Sequence, residues 1–303
     1  MEFRQLGKDG PDVSVIGLGA WPFGGAMGHV EEQAAINTTR AAIDAGVTLV
    51  DTAQSYLASQ TFLGKALQDG YRERCFLCTK VSNDFSPKAI VAAIEESLRM
   101  LRVDFVDLYQ IHSWNPAYPI EESMEAMALL QKQGKTRYIG VSNFNAEQMA
   151  QAGQTGRVNS NQPRYNLLDR RIEAEDLPYC EEHGIGNLIH SPLGQGLLTG
   201  RYRPGHQFAD SDRRAKSSSF QGEVFERVVA ATDLLGEVAA SRGLTLIQLA
   251  ISWLLRQKAV SCVLVGAKSP DQFQEHLGAV GVELTQEELL RIETILQDAP
   301  AGV

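Results

Sequence analysis

The stretch VSVIGLGAWPFGG, residues 13–25, decides the fold. Its first half is an apolar, β-branched run of the kind that forms a buried strand. An open doubly wound sheet that binds a dinucleotide would follow that strand with G-x-G-x-x-G and start a helix at once. Here GLGAWPFGG (17–25) is glycine-rich, yet it has neither that spacing nor a helical pattern behind it. Comparable runs recur along the chain: VTLVD (47–51), CFLCTK (75–80), FVDLYQIH (105–112), RYIGVS (137–142), VNSNQ (158–162), GNLIHS (186–191) and VSCVLVG (260–266). With the first, they make eight. Segments of helical periodicity lie between most of them. Strand and helix in alternation imply right-handed crossovers and a parallel sheet. Eight such units in 303 residues predict an α/β fold, a closed (β/α)8 TIM barrel forming one domain over residues 1–303.

Local signals agree with this layout. EEQAAINTTRAAIDAG is expected to end at Gly46, and PIEESMEAMALLQKQGK at Gly134, each as a helix C-cap. SPKAIVAAIEESLRML opens with Ser86 as N-cap and Pro87 in the first turn. Two segments depart from the repeat. MEFRQLGKDGPDVSV reads as an N-terminal β-hairpin turning at KDG, placed to plug the bottom of the barrel. Between strands seven and eight lies an extended insertion. It holds the polar, basic stretch RYRPGHQFADSDRRAKSSSF (201–220) and two helical patterns, and is expected to act as a lid or ligand clasp.

Composition narrows the class. With 28 basic and 37 acidic side chains the formal charge is −9, which argues against nucleic acid as a partner. MEFRQLGKDG lacks the apolar core of a signal peptide. The greasiest stretch, LTLIQLAISWLL (244–255), is too short to span a bilayer and reads as a core helix. A cytoplasmic protein with no membrane partner is expected. The cysteines are too scattered for a disulfide scaffold. Cys75 and Cys78 have CxxC spacing, but in a strand i and i+3 face opposite ways, so they read as ordinary apolar residues, and no metal is expected.

In such a barrel the active site forms where strands end. Asp51, Lys80 and His112 stand at the ends of strands two, three and four, and Tyr56 lies on the loop leaving strand two. Each has a bland reading: a turn cap, a rim phenol, a solvated ammonium, a satisfied core imidazole. Their joint occurrence on adjacent strands favours chemistry, and the chemistry that needs this set is proton donation to a carbonyl being reduced. A free phenol with a pKa of about 10 is a poor acid near neutrality. A neighbouring ammonium, Lys80, should lower it, while Asp51 keeps that ammonium charged. His112 can donate a hydrogen bond to the carbonyl oxygen.

These residues resemble the aldo-keto reductase family. DTAQSY, CTK, DLYQIH, GVSNF, YN and SPLGQGLLTG occur in the family's order and spacing from one end of the chain to the other. The resemblance implies a barrel that binds NADPH/NADP+ without a Rossmann domain, a tetrad of Asp51, Tyr56, Lys80 and His112, and reversible hydride transfer to a small-molecule aldehyde or ketone. It further implies that Ser142, Asn143 and Gln162 hold the nicotinamide amide, with His190 where an aromatic ring stacks on nicotinamide. The pyrophosphate is expected against Ser191, Pro192, Leu193, Gln195 and Gly196. Past Gly266, GAKSPDQFQEH opens a helix with Ser269 and Gln272 as a capping box and Pro270 at its first position. That helix N-terminus, with Lys268 beside it, suits a 2′-phosphate, and Glu275 is expected to contact adenine. Leu57, Gln60, His190 and His276 depart from the family pattern. Trp21, Phe23, Phe85, Trp114 and Tyr118 are expected to line a substrate pocket and to favour hydrophobic carbonyls. Two alternatives stay open: a cofactor-sensing regulatory subunit of the potassium-channel-associated type, and an NAD-linked sugar or polyol dehydrogenase.

Overall fold

The computed structural model describes residues Met1–Val303. A hairpin comes first, β1 (Phe3–Gln5) pairing antiparallel with β2 (Asp12–Ser14). Strand and helix then alternate: β3 (Ile16–Gly19), α1 (Glu32–Asp44), β4 (Leu49–Asp51), α2 (Ser59–Ala66), β5 (Phe76–Val81), α3 (Pro87–Leu101), β6 (Val106–Ile111), α4 (Ile120–Lys132), β7 (Thr136–Ser142), α5 (Ala146–Gly153), β8 (Ser160–Gln162), α6 (Asp176–His183) and β9 (Gly186–Ile189). After the insertion come α7 (Gly222–Ser241), α8 (Leu246–Leu255), β10 (Val260–Val265), α9 (Pro270–Leu277) and α10 (Gln286–Leu296). The parallel strands close as a barrel in the order β10-β3-β4-β5-β6-β7-β8-β9.

The caps explain the helix limits. Ser86 Oγ accepts from the Ala89 N–H at 3.4 Å, with Pro87 at the first helical position. Gly46 and Gly134 take φ of 90° and 75° just past α1 and α4, a conformation that costs side-chain-bearing residues more. The first apolar run is split. Ser14 donates to the Ile16 carbonyl and accepts from Thr48 N–H, so residues up to Ser14 belong to the hairpin and the barrel strand starts at Ile16.

Strand periodicity sorts the barrel interior into layers. Leu49, Cys78, Leu108, Leu188, Cys262 and Leu264 form one apolar layer, closed from below by Leu6 and Val13 of the hairpin. Two residues further along β4, β5 and β6 the interior turns polar: Asp51, Lys80 and Gln110, with Gln162 from β8, are all buried there. The hairpin therefore plugs the floor, as predicted. Lys8 N–H donates to the Gly184 carbonyl at 2.8 Å, and the Arg4 guanidinium gathers the carbonyls of Leu255, Gln257 and Val260. Outside the barrel, a second core between sheet and helices includes Val50, Leu63, Ile94, Met127 and Trp253. The helix α8, read from its sequence as a core element, is buried along nearly its whole length, and no single helix is long and apolar enough to cross a membrane.

The insertion turns back over the barrel mouth. Arg213 N–H donates to the Ala26 carbonyl at 3.1 Å, tying it to the loop after β3. Arg214 is buried beside Asp212 and lies over the rings of Tyr202 and Phe208.

Candidate active site

A cleft of about 600 Å3 opens at the C-terminal ends of the strands, a size suited to a small ligand or cofactor. Asp51 ends β4, Lys80 is the penultimate residue of β5, and His112 follows β6 directly. Lys80 Nζ donates to Asp51 Oδ1 at 2.5 Å and to the Thr52 carbonyl at 2.9 Å. Gln162 Nε2 donates to Asp51 Oδ2 at 2.9 Å. Burial opposes a charge on Lys80, but the Asp51 carboxylate, with smaller help from Tyr56 and Cys78, outweighs it and holds the ammonium above its ordinary pKa. Deleting either partner would strand a buried charge, at a cost of about 3–5 kcal/mol.

Tyr56 leaves the turn after β4 with its ring 5.0 Å from Lys80 Nζ, measured to the ring centroid. Its ring meets those of His112 and Trp21 edge-on, at 5.5 and 4.7 Å. The four tetrad positions thus converge. One expectation changes: burial pushes the Tyr56 phenol above its ordinary pKa, and Lys80 only restrains that rise. Desolvation of the hydroxyl outweighs the ammonium, and the Asp51 charge adds to it. Burial and then the Lys80 charge lower His112 to about 3, so its imidazole is neutral at physiological pH.

Ser82 is a member of this site that the sequence reading missed. Its Oγ lies 2.7 Å from His112 Nδ1 and 3.1 Å from Ser55 Oγ. Its signal was alternation alone: it stands two residues past Lys80, directly after the end of β5.

The next group of predicted residues also gathers on the cleft. Ser142 Oγ donates to the Gln162 carbonyl at 2.9 Å. Asn143, at φ 58°, donates from Nδ2 to the His112 carbonyl and meets His190 Nε2 through Oδ1 at 2.8 Å. Burial lowers His190 to about 3, leaving it neutral. Ser191, Pro192, Leu193, Gln195 and Gly196 line the cleft next. Gly194, Gln195 and Gly196 follow one another at φ 55°, 57° and 107°, a left-handed run in which the Gly194 and Gly196 N–H groups donate to the Ser191 and Leu193 carbonyls.

Gly266, Lys268, Gln272 and Glu275 line the far end, together with His276. Ser269 does not reach it, because its Oγ caps α9 by accepting from Gln272 N–H at 3.3 Å. The predicted capping box is only half formed. The Gln272 side chain accepts from Lys268 N–H at 3.0 Å instead of from Ser269 N–H, tying α9 to the loop before it. Lys268 Nζ donates to the Met27 carbonyl across the cleft.

Of the expected pocket aromatics, only Trp21 lines the cleft. Phe23 and Phe85 are buried in the core, since the turn at Trp21–Gly24 directs its two rings apart and Phe85 packs edge-on against Tyr118. Trp114 turns away onto Phe144.

The aldo/keto reductase family model matches residues 15–297. The chain belongs to the aldo/keto reductase family. It is 37% identical to the aldo-keto reductase YhdN of Bacillus subtilis, over 98% of this chain and 94% of that protein. It is 31% identical to the NADH-specific methylglyoxal reductase of Escherichia coli, covering 94% of this chain and 95% of that one. The solved structure of the glycerol dehydrogenase AKR11B4 from Gluconobacter oxydans superposes with a TM-score of 0.89 at 34% identity, covering 99% of this chain and 97% of that chain.

As an aldo/keto reductase the chain is an oxidoreductase using a nicotinamide cofactor, and its cleft fits one. His276 Nδ1 is buried at the cleft wall with no partner, and five cationic side chains face the cleft against two carboxylates. Two departures from the aldo/keto reductase pattern now have local accounts. Gln60 is buried and donates to Thr79 Oγ1 and Ser97 Oγ, where a carboxylate would have no proton to give. Leu57 holds φ 46° with its side chain 68% exposed, so the left-handed turn after Tyr56 is kept at the expense of backbone strain.

Proposed function

We propose that this aldo/keto reductase reduces aldehydes or ketones to alcohols with NADPH. The carbonyl oxygen sits between Tyr56 Oη and His112 Nε2. When bound, the nicotinamide supplies the hydride. Tyr56 gives its proton to the oxygen as negative charge develops there, and Lys80, kept ionised by Asp51, stabilises the phenolate left behind. His112, a neutral donor, orients the oxygen. Ser142, Asn143 and Gln162 are assigned to the nicotinamide amide, His190 to its ring, and the cleft loop Ser191–Gly196 with buried Arg214 to the pyrophosphate. Lys268 and Gln272 are assigned to a 2′-phosphate, which favours NADPH over NADH.

One observation supports this reading most: a fully buried ammonium, 2.5 Å from a carboxylate, faces a phenol in the cleft at the C-terminal ends of the barrel strands. A carbonyl panel scanned by loss of reduced-nicotinamide absorbance tests it; inactivity against every aldehyde and ketone with both coenzymes would refute it. The second reading, an NAD-linked enzyme working as a dehydrogenase, draws on the NADH-specific relative and the dehydrogenase neighbour. It also draws on Lys268, whose Nζ is already occupied by the Met27 carbonyl. Lys268→Ala should raise KM for NADPH far more than for NADH; equal changes would favour that second reading.

A further inference from the structure

The cleft carries more cationic groups than its core contacts use. Among its basic side chains, Arg214 pairs with Asp212, Arg164 with Asp169, and Lys268 with the Met27 carbonyl. Arg201 lies toward His276 at the far end, where its charge acts on that imidazole after burial. Arg213 is different. It pairs with no carboxylate and its side chain makes no hydrogen bond, yet its guanidinium lies 5.4 Å over the Trp21 ring. That ring rests edge-on against Tyr56 at 4.7 Å, so Arg213 stands at the reactive end. The backbone holds it there, since its N–H donates to the Ala26 carbonyl and Asp212 caps the turn Arg213–Lys216. Nothing nearby neutralises it: the tetrad's carboxylate is buried and committed to Lys80. A guanidinium held beside an indole without a hydrogen bond of its own keeps its fork of N–H donors free, the group that takes a carboxylate or phosphate through paired donors.

We propose that Arg213 forms an anion subsite for the substrate, so that the enzyme selects aldehydes carrying a phosphate or carboxylate a few bonds from the carbonyl. This rests on the carbonyl-reductase reading. Trp21 then serves as the wall between the reacting carbon and the anion, and the insertion supplies specificity as well as closure.

The test pairs substrates that differ only in charge: glyceraldehyde with glyceraldehyde 3-phosphate, and 4-nitrobenzaldehyde with 4-carboxybenzaldehyde. Each is assayed with the intact chain and with Arg213→Leu, a change on the exposed rim. The wild type should prefer the charged member of each pair. Arg213→Leu should lower kcat/KM for the charged members about 10- to 100-fold, the worth of one charge-assisted hydrogen bond. Neutral members and KM for NADPH should hold within about twofold, as expected for a rim substitution outside their contacts. A matching loss on both members, a raised KM for NADPH, or a wild type indifferent to charge would overturn the subsite while leaving the reductase reading intact. Inactivity on every compound would overturn both.

Discussion

His112 can serve as a hydrogen-bond donor toward the cleft only if its proton sits on Nε2, because burial keeps the ring neutral. That tautomer requires the Ser82 hydroxyl to turn from Ser55 Oγ, to which it donates at 3.1 Å, and to donate instead to Nδ1, 2.7 Å from Ser82 Oγ. Ser82→Ala should therefore lower kcat for carbonyl reduction about tenfold, the worth of a lost orienting hydrogen bond, with KM for NADPH unchanged. Ser82→Thr should restore activity, and nitrogen NMR of the labelled imidazole should show the Nε2–H form in wild type and a mixture in the alanine variant. An unchanged spectrum and rate would remove Ser82 from the site. Leu57→Gly should add up to about 1 kcal/mol in denaturant unfolding by relieving a left-handed leucine. At this scale Asp51, Lys80 and His112 were legible because a barrel strand delivers its last inward residue to the mouth. Ser82 was not, since its partner depends on the relative register of β5 and β6. Phe23 and Phe85 were misplaced because proximity in sequence to the mouth does not say which way a ring turns.

Elements were more legible than contacts. The glycines closing α1 and α4, the serine and proline opening α3, and the floor hairpin all follow from local chemistry that acts within a few residues. The split of the first apolar run was not visible, because the Ser14–Thr48 hydrogen bonds that end β2 join residues far apart in the chain. The hairpin carries a stability prediction. Leu6 is 1% exposed against the interior leucines, so Leu6→Ala should cost about 2–5 kcal/mol by urea unfolding. A cost near zero would mean the plug is dispensable. The half-formed cap of α9 has a functional counterpart: the Gln272 side chain accepts from Lys268 N–H and not from Ser269 N–H, coupling that helix to the cleft loop.

Over the whole molecule the charge is divided. The chain carries −9 overall, yet five basic side chains face the cleft against two acidic ones. Anionic ligands are drawn inward through a repelling exterior, so KM for the coenzyme should rise with ionic strength. Three cleft imidazoles also tie stability to pH. His112 and His190 are lowered to about 3 and His276 to about 4, chiefly by burial. Each is neutral when folded, so the unfolded chain binds more protons below its ordinary pKa of about 6.5. Stability from this source is full near neutrality and is lost as pH falls toward 4. Thermal unfolding should show Tm dropping across that range, and His276→Asn should flatten the slope. The central claim concerns one proton, held by Tyr56 beside an ion-paired lysine. Its most direct measurement is single-turnover hydride transfer from prebound NADPH in Tyr56→Phe, with coenzyme affinity followed by fluorescence. The account predicts unchanged binding and a carbonyl reduction rate at least about 1000-fold lower, equivalent to some 4 kcal/mol of barrier; reduction at the parent rate would contradict it.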